Sequence, residues 1–164
     1  MDKVVLAATA PATAEMLRDL DAELAARLAG IEYSPIAVVG FGYQHPEHPM
    51  DGFGLLTTSA AGLPILGVLW DSSIFADRAP VGARSMRVLI GGQRNPELAL
   101  QDEAGLIATA REGIRLTMGV DAEPDVSFVQ RWERGIPNYA VGHLQAMETL
   151  FTHVGRHPNL HLNC

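Results

Sequence analysis

Apolar and polar positions follow two different periods along this chain, and the changes of period mark its elements. The most informative stretch runs from Gly52 to Glu97. Three short apolar runs, at residues 53–58, 65–71 and 84–91, are separated by turns rich in Gly, Pro, Ser and Asp. That pattern predicts three adjacent strands presenting one apolar face. In the third run Met86, Val88 and Ile90 alternate with Arg87, Leu89 and Gly91, as the two faces of a half-buried strand do.

The flanking regions mix both periods. Val4-Val5-Leu6-Ala7-Ala8 reads as a short strand, and Met16, Leu17, Leu20, Leu24 and Leu28 fall near helical spacing, which predicts one helix over 13–28. Thr9 or Thr13 is its candidate cap, and Gly30 closes it. Residues 36–43 form the strongest strand pattern in the chain. A second helix is expected over 102–118, closed by Gly119, then a strand over 126–132 and a tight connection at Gly135-Ile136-Pro137-Asn138-Tyr139. A third helix over 144–151 and a strand start at 160–162 follow. Adjacent strands with separated helices argue for an α+β fold, a mixed β-sheet with three main helices.

Composition narrows the classes of function. The 164 residues suffice for one domain with a real core. With a net charge of −7 and Lys3 as the sole lysine, the chain lacks the clustered cations that a nucleic-acid surface needs. No apolar run approaches the roughly 20 residues of a membrane-spanning helix, and the N-terminus has no signal-peptide pattern. A single cysteine, Cys164, excludes an intrachain disulfide and is compatible with a reducing, cytoplasmic compartment. Strand-like patterns stand directly at both ends, so a piece of a longer protein is expected.

Candidate chemistry is sparse. The phosphate-cradling P-loop, the nucleophile elbow, H-E-x-x-H and C-x-x-C are all absent. Gly40-Phe41-Gly42 and Gly52-Phe53-Gly54 supply glycine pairs, but neither continues into a dinucleotide fingerprint. His45, His48 and Asp51 lie in a loop with two prolines that hinder convergence on a metal, and no metal site is expected. Asp71-Ser72-Ser73 fits no known triad order. Gly91-Gly92-Gln93-Arg94-Asn95 either cradles an anion or simply lets the chain turn. No self-contained catalytic set emerges, and no catalytic residue is assigned.

Five blocks together carry a resemblance: Gly52-Phe53-Gly54-Leu55-Leu56, Gly67-Val68-Leu69-Trp70-Asp71-Ser72, Phe75-Ala76-Asp77-Arg78-Ala79-Pro80, Ile90-Gly91-Gly92-Gln93-Arg94-Asn95-Pro96-Glu97 and Ile136-Pro137-Asn138-Tyr139-Ala140-Val141-Gly142-His143-Leu144. With them the chain resembles the oxygen-dependent protoporphyrinogen oxidases of the flavin amine oxidase superfamily. That family uses FAD to oxidise protoporphyrinogen IX to protoporphyrin IX in haem biosynthesis, with molecular oxygen as acceptor. The resemblance implies a C-terminal fragment holding the substrate-binding domain, a single truncated unit over 1–164. Residues 34–132 would form the substrate-binding sheet and helix. Residues 1–30 and 133–164 would return to an incomplete FAD-binding domain. The family's fingerprint for the FAD pyrophosphate is absent here.

By the same resemblance Leu56, Leu69 and Leu89 match positions that pack on the tetrapyrrole, and Trp132, Pro137 and Tyr139 match a region near the flavin. The chain alone is then expected to be inactive, with the missing FAD-binding half as its partner. Exposed faces toward that half would favour a homo-oligomer, and membrane association of the parent protein stays open. Two alternatives remain: a non-enzymatic tetrapyrrole-binding module, and a related flavin amine oxidase with another substrate.

Overall fold

The computed structural model describes residues 3–163, so Cys164, the single cysteine, lies outside the described residues. In chain order the elements are β1 (Val4–Leu6), α1 (Ala10–Leu17), α2 (Ala22–Ala29), β2 (Tyr33–Tyr43), β3 (Gly54–Leu56), β4 (Gly67–Leu69), α3 (Asp71–Ile74), β5 (Arg84–Gly91), α4 (Glu103–Met118), β6 (Val126–Pro137), α5 (His143–Val154) and β7 (Leu160–Leu162). The fold is α+β. It divides into two compact units, one of Met1–Tyr33 with Pro137–Cys164 and the other of Ser34–Ile136.

The first unit pairs β1 with β7 in parallel, Val5 opposite His161. Its core gathers Ala10, Ala14 and Leu17 of α1, Leu24 and Leu28 of α2, and Leu150 and Val154 of α5. The single helix expected over 13–28 is two helices. The break has a local cause: Asp21 caps α2, its carboxylate accepting from the Leu24 N–H at 2.9 Å. Asp competes well for helix-terminal amides, and a capped start turns the chain. Met16 and Leu20, counted in the helical stripe, are consequently 61% and 60% exposed. Thr9 occupies the backbone position of an N-cap for α1 without a side-chain bond, and Thr13 lies buried inside that helix.

The second unit is a five-stranded sheet in the order β3-β4-β5-β2-β6. The β3–β4, β4–β5 and β5–β2 pairings are antiparallel. One face buries Ala37, Val39, Phe41, Val68, Met86, Val88 and Ile90 against Leu106, Ala110 and Ile114 of α4. Helix α4 starts where Asp102 accepts from the Gly105 N–H at 2.8 Å and ends at Gly119. Strand β6 runs five residues past the expected end at Trp132, through the segment expected to turn. The reason sits at Gly135: a Cβ there would lie 2.3 Å from Ile36 Cγ2. That glycine permits a close approach of two strands and does not mark a bend.

Candidate functional site

The face of the five-stranded sheet opposite α4 carries the residues singled out from the sequence. In an antiparallel ladder, directly opposed residues put their side chains on one side. The register sets Leu56 opposite Gly67 and Gly67 opposite Leu89, while Leu69 stands opposite Arg87 and Arg87 opposite Gly40. Leu56, Leu69 and Leu89 therefore share one face, two pleats wide, with Leu55, Val68 and Val88 on the buried side. Leu56 is 80% exposed, and Leu69 and Leu89 are half-buried. A plain core role does not account for a leucine so exposed on a sheet.

Beside this row a cavity of about 740 Å³ opens, lined by Gly40, Gly42, Phe75, Met86, Val126 and Phe128 among others. Its floor is backbone. A Cβ on Gly40 would lie 1.9 Å from Phe128 Cε1, so the ring of Phe128 rests on the strand where a side chain would stand. The side chain of Tyr43 lies on the α4 side of the sheet, where its buried hydroxyl has no partner among the described residues. Burial pushes that phenol up to about 12.

Polar groups at the edge are mostly engaged. Arg87 grips Asp71 bidentately, with Nε 2.8 Å from both carboxylate oxygens and Nη2 2.6 Å from Oδ1. This geometry is the strong form of an arginine–carboxylate pair, and it ties α3 to β5. Ser72 accepts from the Ser85 N–H at 3.1 Å, and the Ser73 hydroxyl donates to the Met50 carbonyl. Asp71, Ser72 and Ser73 thus anchor a turn, leaving no hydroxyl poised as a nucleophile.

Two other sequence candidates also resolve into structure. Gly91 has φ +107, and a Cβ there would meet Ala99 at 2.5 Å and the Pro35 carbonyl oxygen at 2.8 Å. Arg94 donates to Thr57 Oγ1 and to the Thr57 carbonyl, both at 2.9 Å. The glycine pair makes a turn, and Arg94 spends two of its donors as a latch on the neighbouring loop. His48 accepts from the Met50 N–H at 2.9 Å and packs on Trp70 at 5.4 Å between ring centroids. Among the described residues no three His, Cys, Asp or Glu side chains gather around a metal position.

The three residues matched to the flavin region are not gathered into one unit. Trp132, 45% exposed, is on β6 in the second unit. Pro137 ends β6, and Tyr139, 77% exposed, stacks on His143 at 4.6 Å; both belong to the first unit. Sequence reasoning missed the basic groups around the cavity, Arg78, Arg84 and Arg87. Arg87 had a signal, since alternation already put it on the same face as Leu89. The ion pair with Asp71 had none, because only the β4–β5 register brings positions 71 and 87 together. No helix among the described residues is long and apolar enough to cross a membrane.

No family model matches the chain. It is 29% identical over 156 residues to a chloroplastic protoporphyrinogen oxidase of Nicotiana tabacum, covering 89% of this chain and 28% of the relative. It is 31% identical over 149 residues to a coproporphyrinogen III oxidase of Propionibacterium freudenreichii, covering 88% of this chain and 27% of that protein. The fold superposes with a TM-score of 0.77 on a crystal structure named as a protoporphyrinogen oxidase from Exiguobacterium sp. 255-15. That likeness spans 98% of this chain and 35% of the other at 20% identity, and it establishes the fold. The chain spans less than a third of the length of the curated relatives it matches. By sequence the chain is similar to part of the length of proteins named protoporphyrinogen oxidase and coproporphyrinogen III oxidase, and it shares its fold with the first of these.

Proposed function

We propose that this chain supplies the substrate-binding portion of an FAD-dependent oxidase that takes protoporphyrinogen IX to protoporphyrin IX with molecular oxygen as acceptor. The observation that carries the reading is the open sheet face: Leu56, Leu69 and Leu89 stand on one side, beside a largely apolar cavity, in a chain that aligns with such oxidases. Apolar side chains on one sheet face suit the rings of a tetrapyrrole, and the sheet behind them excludes water from one side. The relatives' names cover both protoporphyrinogen and coproporphyrinogen III, so the shared class is a porphyrinogen.

FAD is the cofactor this reading assigns to the parent protein. When bound, the flavin supplies the electron acceptor for the substrate. The residues of this chain fit only part of that group. The resemblance matches Trp132, Pro137 and Tyr139 to a region near the flavin, but helix α1 begins at Thr9-Ala10-Pro11 without the glycines that let a pyrophosphate approach a helix start. This chain therefore does not hold FAD by itself, and the complementary part of the parent is its partner. Exposed Leu56, Phe128 and Val126 favour self-association in its absence.

The experiment has two readouts. Protoporphyrin IX titrated into the chain is expected to bind saturably, read by emission quenching, and Leu69→Arg is expected to weaken it. With FAD and protoporphyrinogen IX added, the chain is expected to give no rate above autoxidation, and flavin is expected to separate from protein on gel filtration. Unsaturable quenching would end the substrate-binding reading. Co-eluting flavin would end the claim that the chain lacks a complete cofactor site.

A further inference from the structure

We propose that Phe128 is part of the ligand floor: its ring, lying over Gly40, extends the platform of Leu56, Leu69 and Leu89 across the sheet and stacks against a pyrrole ring of the tetrapyrrole. This rests on the tetrapyrrole reading above and adds to it a contact residue outside the leucine row, on a different strand.

The strand register places the ring. Leu69 stands opposite Arg87 and Arg87 opposite Gly40, so a Cβ on Gly40 would rise on the same face as the leucine row. Phe128 Cε1, Cδ1 and Cζ would lie 1.9, 2.4 and 2.6 Å from that Cβ. The ring therefore sits where a strand residue would begin its side chain, close to the level of the leucine side chains on the same face. Glycine is what permits it, since a larger residue at position 40 would lift the ring or turn it away. Two strand spacings, about 10 Å, separate Leu69 on β4 from Gly40 on β2. Four linked pyrrole rings span that distance. Between the two positions Arg87 is drawn onto Asp71, with Nη2 2.6 Å from Oδ1, so its charge is paired within the floor.

Phe128 is 54% exposed: part of its ring covers the backbone of β2 and the rest faces solvent. Shielding backbone needs apolar bulk alone, which leucine supplies as well. An aromatic ring adds a π-face whose offset or edge contact with a second aromatic ring gains more than the area it buries. Pyrrole rings are aromatic in a porphyrinogen and in a porphyrin alike. Phe75, Pro80 and Val126 wall the same cavity, so a ligand that reaches Phe128 meets apolar surface beyond it too.

In the test, protoporphyrin IX is titrated into the full chain and into Phe128→Leu, Phe128→Tyr, Gly40→Ala and the double variant Gly40→Ala/Phe128→Leu, with binding read by emission quenching. The proposal expects Phe128→Leu to bind about tenfold more weakly, the upper end of what an aromatic pair adds, and Phe128→Tyr to bind as the wild type does. Gly40→Ala should cause a comparable loss by displacing the ring. The double variant should lose no more than either single one, because both changes remove one contact. Full binding by Phe128→Leu would overturn the stacking role, and so would losses that simply add in the double variant; the leucine face would stand in either case. The comparison of leucine with tyrosine decides the point without the glycine variant. If the wild-type chain does not bind protoporphyrin IX, the tetrapyrrole reading itself fails and takes this proposal with it.

Discussion

At the scale of single residues, Asp21 shows how one side chain redirects the chain and ties stability to pH. Its carboxylate accepts from the Leu24 N–H at the start of α2 and lies 2.8 Å from His157 Nε2. The His157 bond first, then the Leu24 N–H, holds its carboxyl below the ordinary value of 3.8. A carboxyl depressed in the folded state contributes stability above its unfolded value, and that contribution is lost as pH falls through the folded value. Asp21→Asn keeps a capping side chain and removes the charge. Thermal midpoints are expected to favour the wild type most above pH 3.8, with the gap closing as pH falls below it. A gap independent of pH would show that the His157 contact carries no linkage. The capping residue was readable in the sequence as a polar break in a leucine stripe, but the periodicity spoke louder, and Met16 and Leu20 were placed on a face they do not share.

At the scale of elements, the sheet was legible where alternation was strict and illegible where a glycine acts through its neighbour. Strand β5 spans the residues its pattern marks, Arg84–Gly91, because each alternate side chain meets either α4 or the open face. Strand β6 looked shorter than it is, since Gly135 and Pro137 are turn residues by local preference. What overrides that preference is Ile36 on the adjacent strand, whose side chain fills the space a Cβ would take. Gly135→Ala should therefore push β6 away from β2 at a cost of about 1–3 kcal/mol, the usual range for overpacking. Amide exchange is the measurement: protection should fall along β6 and persist in β4 and β5. Uniform protection in the variant would mean the strands have room to spare at this point. The leucine row was named only through the resemblance, and its common face depends on the strand register, as does the cavity beside it, where a phenylalanine lies over Gly40.

At the scale of the whole molecule, the account joins a fold shared with solved flavoprotein structures to a sheet face that is exposed in this chain. Two compact units are formed, each with its own apolar core, and the leucine row and cavity belong wholly to the second. The proposed function at this scale was legible only through blocks of sequence that resemble a family, because the residues proposed to meet a porphyrinogen are ordinary leucines whose chemistry announces nothing. Their common face, and the arginines beside it, required the register. The most direct test of the central claim is nuclear magnetic resonance of leucine-methyl-labelled protein during addition of protoporphyrin IX. A porphyrin stacked on the sheet exerts a large ring-current shift on the methyls it touches. The account predicts that Leu56, Leu69 and Leu89 shift strongly while the buried Leu24, Leu28 and Leu106 hardly move. Strong shifts elsewhere with the three leucines unmoved would contradict it.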